Sequence, residues 1–417
     1  MLLKMRNAWN LFCARWSLNI KRITYCSSDD GSANGCFWWL DMMLLLGGIR
    51  SELTTTWVHE RKIRIFSWSL SAYHAMAFVL VLNDALNEDK DTALVVLELM
   101  KVAFITVACL KVVSVALLKK PIAALRKFIC SNRVNSGDVA FDEMEQLEFR
   151  NTVRRTVQII FGFIVVDTVL LVIPNSMKND LLGLPHALTL MGRGTSEMLN
   201  FILASFLSVS SSPKYFSSTA CVGVTLVGMR TKLRIISHRF KLISQQTFSS
   251  EEQCFKRING EVKEALAQHL EYWSHLQTMK DLIGKMFFLV HYFSIFAVGA
   301  LLYVCHEITP NSITLVIIAG TSSVLLEYFL LCCFVESLAD EADAIEQYIF
   351  EISAQIPFCS NLRSEYVQLQ STLMIIWINT RNGMSMNCVG LFEINISAFA
   401  ALVDVAYSVL MFLINMG

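Results

Sequence analysis

The chain has 417 residues, of which 54% are hydrophobic and 17% are charged. Soluble globular domains carry roughly 25% charged residues, so this composition is typical of a protein with several membrane-spanning segments and excludes an ordinary soluble domain. Basic and acidic side chains balance to a formal net charge of zero, which gives no basis for a nucleic-acid partner.

The hydrophobic stretches of the sequence predict its membrane-spanning helices. A helix needs about 20 mostly apolar residues to cross the lipid bilayer, and the stretch 36–48 is shorter and carries Asp41, so we expect an interfacial or re-entrant helix there. Pro213 interrupts a later stretch, which we interpret as one long bent helix, with two shorter spans as the alternative. The pattern predicts an all-α membrane protein with seven transmembrane helices, at 65–84, 92–118, 154–174, 195–225, 284–306, 312–335 and 389–414.

The distribution of Lys and Arg predicts the orientation of these spans. Basic residues cluster before span 1, after span 2 and after span 4, whereas the intervening connections hold few. Because Lys and Arg accumulate in cytoplasmic loops, we expect a cytoplasmic N-terminus and an extracellular C-terminus. This is the reverse of a rhodopsin-like G-protein-coupled receptor. Of the cysteines, we place only Cys305 near the outer surface, which leaves no pair for an extracellular disulfide.

Three further segments have helical spacing of apolar residues and mixed charge. They predict a helix over 249–288 that runs into span 5, a continuation of span 6 over 334–353, and an amphipathic helix over 365–382. The expected organisation is a cytoplasmic segment 1–64, spans 1–6 with helical extensions over 65–335, cytoplasmic anchor helices over 336–388, and span 7 over 389–417.

Sequence motifs of catalysis are absent. The chain contains no GxSxG, HExxH or P-loop motif, and its histidines and cysteines lack the spacing of a zinc site. We therefore expect neither an enzyme nor a bound metal or cofactor. An inverted repeat, which is typical of many transporters, is not apparent either.

Ionisable residues at membrane depth are energetically costly and are candidates for function. Asp167 lies in span 3, Glu327 in span 6, and Glu393 and Asp404 in span 7. The structural alternatives are a pair between Asp167 and Arg193, and shielding of Glu327 by packing or by a nearby aqueous cavity.

Span 7 carries more polar residues than a lipid-facing helix tolerates, which favours a helix that lines water. Its i, i+4 spacing places Val405, Val409 and Leu413 on one face, where an apolar ring repeated in each subunit closes a pore by dewetting. An ordinary seam between helices is the alternative.

Several segments resemble the insect odorant receptors. They are "LKVVSVALLKKPIAALRKFI" (110–129), "YFLLCCFVESLADEADAIEQYIF" (328–350) and "LMIIWINTRNGMSMNCVGLFEINISAFAALVDVAYSVLMFLIN" (373–415). Tyr407, Ser408, Val409 and Leu413 fall on the family's C-terminal "YSv-tlL" pattern. Gustatory receptors share the fold and end in "TY-----QF", which Ala406-Tyr407 matches only at its start, so a gustatory-type channel is the alternative. The long loop before span 5 and the glutamine-containing ending of the odorant co-receptor are absent, so the chain resembles a ligand-tuning subunit.

The resemblance implies a function. It implies an odorant/gustatory receptor-type channel fold and a non-selective cation channel, gated by small volatile ligands, in which the chain forms a heterotetramer with the odorant co-receptor. The channel is expected in the plasma membrane of sensory-neuron dendrites, where it serves the perception of smell. Pore and gate residues would be Asp404, Val405, Val409 and Leu413. The odorant pocket would lie in the outer half of the bundle, among Met100, Phe104, Val166, Asp167, Leu170, Met198, Phe201, Ile202, Thr321 and Leu325.

Overall fold

The computed structural model describes residues 37–49, 60–87, 91–172, 192–246, 251–308, 310, 312–358 and 360–416. The chain divides into two compact units, Met1–Trp38 and Trp39–Gly417. Of the first unit, only Phe37 and Trp38 are among the described residues. The expected N-terminal segment 1–64 therefore lies mostly outside the described residues.

The described residues form ten α-helices and one short 3-10 turn, Ser360–Leu362. Their only β contact is an isolated bridge between Asn387 and Glu393, so the expected all-α fold is confirmed. The helices are α1 (Trp38–Leu46), α2 (Glu60–Asn87), α3 (Thr92–Leu117), α4 (Lys119–Cys130), α5 (Val139–Val172), α6 (Arg193–Ser244), α7 (Glu251–Glu307), α8 (Ser312–Gln355), α9 (Arg363–Gly383) and α10 (Ile396–Met416).

Half of these ten helices are candidates for membrane spans. In the described part of the chain, five helices are long and apolar enough to cross a membrane: Glu60–Asn87, Thr92–Leu117, Phe255–Glu307, Thr314–Gln355 and Ile396–Asn415. They contain predicted spans 1 and 5 and most of spans 2, 6 and 7. Predicted spans 3 and 4 lie on α5 and α6, which are also long helices but are not among these five. The chain is a multi-pass membrane protein.

The three additional segments predicted to be helical are confirmed as helices. The helix expected over 249–288 is the first part of α7, the continuation of span 6 is the second part of α8, and the segment 365–382 lies within α9. The fourth span is one continuous helix through Pro213, so the alternative of two shorter spans is wrong.

The predicted start of span 7 at residue 389 is wrong, because α10 begins only at Ile396. Before it, Val389 and Gly390 adopt positive φ angles of 49° and 76°, which no helix contains. Asn395 then caps α10, since its side-chain oxygen accepts a hydrogen bond of 2.9 Å from the Ala398 N–H. Glu393 therefore lies in the turn before the helix, outside the span.

Helix α6 is the central element of the bundle. It packs against α2, α3, α4, α5, α7 and α8. From Ser208 to Ser244 nearly all its residues are buried or half-buried, because neighbouring helices cover it on all sides. The core of the protein is thus built around one helix, with α10 at its edge, packed on α7 and α8.

The helix α1 is fixed by a paired charge. Its apolar residues Leu40, Met43 and Leu44 are buried, and both carboxylate oxygens of Asp41 accept hydrogen bonds of 2.7 Å from the Arg126 guanidinium on α4. Such bidentate pairs are among the stronger polar contacts in proteins. The aspartate that interrupts this apolar stretch in the sequence thus anchors α1 to the bundle.

Candidate functional site

A partly open cavity of about 200 Å³ lies between α2, α3, α5, α6, α7 and α8. It lies in the half of the bundle where α3, α6 and α8 begin and where α5 and α7 end. Most of its lining is apolar, and small-molecule sites are typically apolar with a few polar groups. The lining residues are Phe78, Leu97, Met100, Lys101, Phe104, Ile105, Asp167, Leu171, Leu207, Ser208, Ser211, Ser212, Phe293, Ala297, Leu301, Val316, Ile317, Gly320 and Val324.

A cluster of three aromatic side chains lies at one side of this cavity. Phe104 on α3 stacks on Tyr215 of α6, with ring centroids 4.6 Å apart and planes 17° from parallel. Phe293 on α7 meets the same tyrosine edge-on at 5.9 Å. Phe104 and Phe293 line the cavity, whereas Tyr215 is fully buried behind them. A ligand that displaces either phenylalanine would therefore act directly on Tyr215.

Behind Tyr215 lies a buried ion pair. The ammonium of Lys111 on α3 is 3.5 Å from the centre of the Tyr215 ring, and its Nζ is 2.6 Å from Oε1 of Glu327 on α8. The hydroxyl of Thr219 on α6 donates to the same carboxylate oxygen. The lysine and glutamate side chains are 1% and 0% exposed. Buried charges persist in proteins when they are paired, and this pair joins three helices.

The residue after Glu327 extends these contacts toward α10. The Tyr328 hydroxyl is 2.8 Å from Nδ1 of His291 on α7, and that imidazole ring lies 4.4 Å from the ring of Phe392. The neighbouring Phe329 meets Phe399 of α10 edge-on at 5.3 Å. A continuous set of contacts therefore runs from the cavity through Tyr215 and the ion pair to the start of α10.

The polar groups of the cavity have different partners. Nζ of Lys101 lies 2.5 Å from Oε1 of Glu98 on the preceding turn of α3. Oγ of Ser208 donates to the carbonyl of Ile164 at 3.3 Å and lies 3.4 Å from Oγ of Ser212. The Ser211 hydroxyl is buried and has no hydrogen-bonding partner among the described residues.

The sequence-predicted ligand residues fall into two sets. Met100, Phe104 and Asp167 line the cavity. Val166, Met198 and Phe201 are exposed, Leu170 and Leu325 are half-buried, and Thr321 is buried and donates to the Ile317 carbonyl. These six do not line the cavity, and the side chain of Ile202 is outside the described part of the chain.

The sequence did not predict that α7 lines the cavity, nor did it identify the lysines buried in or near it. Residues of α7 line the cavity, but nothing in the apolar run of span 5 distinguishes Phe293 from ordinary packing. A signal did exist for Lys101, Lys111 and Lys214, because each is a lysine inside a predicted span and therefore requires a partner. The "SVSSS" run at 208–212 was a similar signal for a polar patch within an apolar helix.

The predicted pore and gate residues of α10 differ in exposure. Asp404 and Val405 are exposed. Val409 packs against Gly299 of α7, where a β-carbon would lie 2.7 Å from the valine Cγ1, and Leu413 packs on the cluster that contains Tyr303 and Val304. Spacings of four, three and four residues align one exposed stripe of Asp404, Ser408, Met411 and Asn415, in which all but Met411 are polar.

Comparisons with known proteins identify the family and the fold of the chain. The family model described as "7tm Odorant receptor" matches residues 92–407. Two solved structures of the insect olfactory receptor OR5 from Machilis hrabei, one of them in complex with eugenol, each superpose with a TM-score of 0.70 at 12% sequence identity. Each alignment covers 91% of this chain and 97% of the other, and at this identity the likeness shows the fold.

A search of curated proteins found no match to the chain. The family model nonetheless covers most of the sequence and includes α3 and α5 to α8, which form most of the cavity wall, and the first part of α10, up to Tyr407. The likeness to an insect olfactory receptor, which the three sequence segments indicated, is thereby confirmed. The chain belongs to the 7tm odorant receptor family.

Proposed function

We propose that the chain is a ligand-tuning odorant receptor subunit that binds a small volatile molecule in the cavity and gates a non-selective cation channel. The observation that supports this most is the continuity between the apolar cavity and α10, through Tyr215 and the Lys111–Glu327 pair. The olfactory receptor OR5 from Machilis hrabei has the same fold and has a structure in complex with eugenol.

The proposed assembly is a heterotetramer with the odorant co-receptor in the plasma membrane of a sensory-neuron dendrite. The N-terminus would be cytoplasmic and the C-terminus extracellular, as the basic residues predict. In that arrangement the segment 336–388 is the anchor between subunits, and α10 of each subunit borders the central pore. The exposed stripe of α10, which carries Asp404 and Ser408, supports contact with water.

Gating then requires a ligand that binds the open state more tightly than the closed state. A ligand between Phe104 and Phe293 would shift Tyr215, and with it the Lys111 ammonium that holds Glu327 on α8. Val409 and Leu413 remain the proposed gate residues. Since both contact α7 in the single subunit, they reach the pore axis only if α10 turns relative to α7.

Whole-cell recording from cells that express the chain with and without an insect co-receptor tests this proposal. We expect a reversible cation current that requires both a volatile ligand and the co-receptor. Phe104→Ala, which removes one cavity wall, should raise the ligand concentration needed for a half-maximal current. The matched control is Phe66→Ala, because Phe66 is exposed on α2, does not line the cavity and lies outside the proposed anchor and pore helices.

A further inference from the structure

Four buried serines of the described helices, Ser71, Ser211, Ser218 and Ser294, have a hydroxyl without a hydrogen-bonding partner among the described residues. Of these four, Ser211 is the one that lines the cavity. Serine hydroxyls inside helices usually donate to a carbonyl one turn earlier, as Ser114 and Ser323 do here at 2.9 Å. Ser211 is only 3% exposed, and its Oγ has no partner among the described residues. An unpaired hydroxyl in a protein interior is unfavourable, so a group that completes its hydrogen bonding gains free energy on binding.

The hydroxyl belongs to the cavity wall. Ser211 lines the cavity between α2, α3, α5, α6, α7 and α8, next to Ser208 and Ser212. Those two serines lie close to each other, and Ser208 also donates to the Ile164 carbonyl, so they already have partners within the protein. The remaining hydroxyl is therefore the one that a bound molecule satisfies at no expense of an existing hydrogen bond.

We propose that Ser211 selects the ligand, and that the ligand is a small neutral oxygenated molecule, such as an alcohol, phenol, ketone or ester, whose oxygen meets the Ser211 hydroxyl. The inference rests on the proposed function, because it deepens the chemistry of the same cavity. The volume of about 200 Å³ is below the roughly 300–1,000 Å³ of pockets for drug-sized ligands, which limits the molecule to a small one.

The charged groups of the cavity do not favour an amine. Asp167 lines the cavity and is only half-buried, but the Lys101 ammonium lines the same space and repels a second ammonium. The lysine in turn is held by Glu98 at 2.5 Å. A pure hydrocarbon fits the apolar walls but leaves Ser211 unpaired. An uncharged oxygen is the ligand group that avoids both penalties.

The test measures binding directly, so that it does not depend on channel opening. The purified full-length chain in detergent is titrated with six- to ten-carbon alcohols, phenols, ketones and esters, and with the hydrocarbon and the amine of each skeleton. Ligand affinity is taken from the shift in thermal unfolding. We expect oxygenated members to bind more tightly than both analogues, and Ser211→Ala to weaken their binding by about 3- to 10-fold, the worth of one neutral hydrogen bond.

A matched variant and the ligand-free protein complete the experiment. Ser212→Ala also removes a hydroxyl from the cavity, but one that already has a neighbour at 3.4 Å, so oxygenated ligands should keep their preference. Ser211→Ala should leave binding of the hydrocarbons unchanged and should unfold at the same temperature as the wild type or higher, since it breaks no hydrogen bond.

Three results would overturn the inference: equal affinity of Ser211→Ala and wild type for oxygenated ligands, a general preference for hydrocarbons, or a preference for amines that Asp167→Asn removes. Absence of binding by every oxygenated compound would also overturn it. Failure of the proposed function would give a different result. The chain would then bind these ligands selectively, and Ser211→Ala would lose this binding, but cells that express the chain and the co-receptor would show no current.

Discussion

Lys111 and Glu327 form an ion pair of 2.6 Å that is completely enclosed by α3, α6 and α8. The residues lie 216 positions apart in the chain, so the contact depends on the correct packing of helices that are remote in sequence. Lys111 also faces the Tyr215 ring beneath the cavity. The pair therefore combines a structural role in the bundle with a position between the ligand cavity and α10.

Removal of either partner leaves a buried charge without compensation, so Lys111→Met or Glu327→Gln should destabilise the protein by about 3–5 kcal/mol. The double variant Lys111→Met/Glu327→Met should recover most of this loss, because two apolar side chains replace the pair. The midpoint of thermal unfolding in detergent is the measurement. As a control, Arg133→Ala removes the exposed pair with Glu271 and should cost less than about 1 kcal/mol.

The double variant also tests whether the pair takes part in gating. We expect it to bind ligand but to give a smaller current at saturation, because the contact from α3 to α8 is lost. Single variants as stable as the wild type would contradict the structural role, and a full current in the double variant would contradict the role in gating.

Gly299 permits the close approach of α7 and α10. A β-carbon at this position would lie 2.7 Å from Val409 Cγ1 and 2.9 Å from the Ala406 carbonyl oxygen, and the backbone atom yields only if the helices separate. Gly299→Ala should therefore lower the unfolding temperature and alter the ligand-evoked current. Gly260→Ala on the same helix meets nothing within 4 Å and should be neutral or stabilise by up to about 1 kcal/mol. Identical behaviour of the two variants would refute the contact.

The two sides of α10 differ in their expected access to water. In the assembled channel, Ser408→Cys should react quickly with a charged thiol reagent, since it lies on the exposed stripe. Leu413→Cys, packed against α7 and the adjacent cluster, should react slowly without ligand and faster when ligand opens the channel. The rate of current change after reagent is the measurement, with the wild-type chain as the background. Equal rates at both positions, with and without ligand, would argue against a turn of α10.

Acid should weaken the contact between α7 and α9 outside the predicted spans. His269 lies 3.2 Å from the Thr380 hydroxyl, and burial lowers the pKa of this imidazole to about 4. Between pH 6.5 and 4 the unfolded chain binds a proton that the folded chain does not, so stability falls as the pH falls. From pH 7.5 to 5 the loss is about 2 kcal/mol.

Thermal unfolding of the wild type and of His269→Gln over this pH range measures the effect. Glutamine keeps a hydrogen-bonding group beside Thr380 but does not titrate, so the variant should lose less stability on acidification. The same decrease in both proteins would show that other groups cause the acid sensitivity.

Much of the fold could be predicted because hydrophobic length and periodicity are local properties. The long helices α7 and α8 follow from apolar and amphipathic runs in which the only proline from Glu251 to Gln355 is Pro310, between the two helices. The continuity of α6 was open to an alternative, because Pro213 interrupts its apolar run. The start of α10 could not be predicted in the same way. The residues from Val389 to Asn395 are apolar enough to resemble a span, and only the backbone angles at Val389 and Gly390 show the turn.

The cavity was only partly predictable, because its walls depend on how helices rotate against one another. Met100, Phe104 and Asp167 were expected near a ligand and line the cavity, whereas Phe201 was expected there and is exposed. Glu327 was identified as a charge inside a predicted span, but its partner Lys111 was not, since the two residues lie 216 positions apart in the chain. Long-range pairs of this kind require the packed structure.

The central claim is that a ligand in this cavity opens a cation channel, and the most direct measurement is the current in cells that express the chain with an insect odorant co-receptor. Oxygenated volatiles, with eugenol among them, are applied to wild type and to Phe104→Ala. The account predicts a reversible cation current that requires ligand and co-receptor and that needs more ligand in the variant. No current from wild-type chains that reach the cell surface with the co-receptor, or an unchanged dose response in Phe104→Ala, would contradict it.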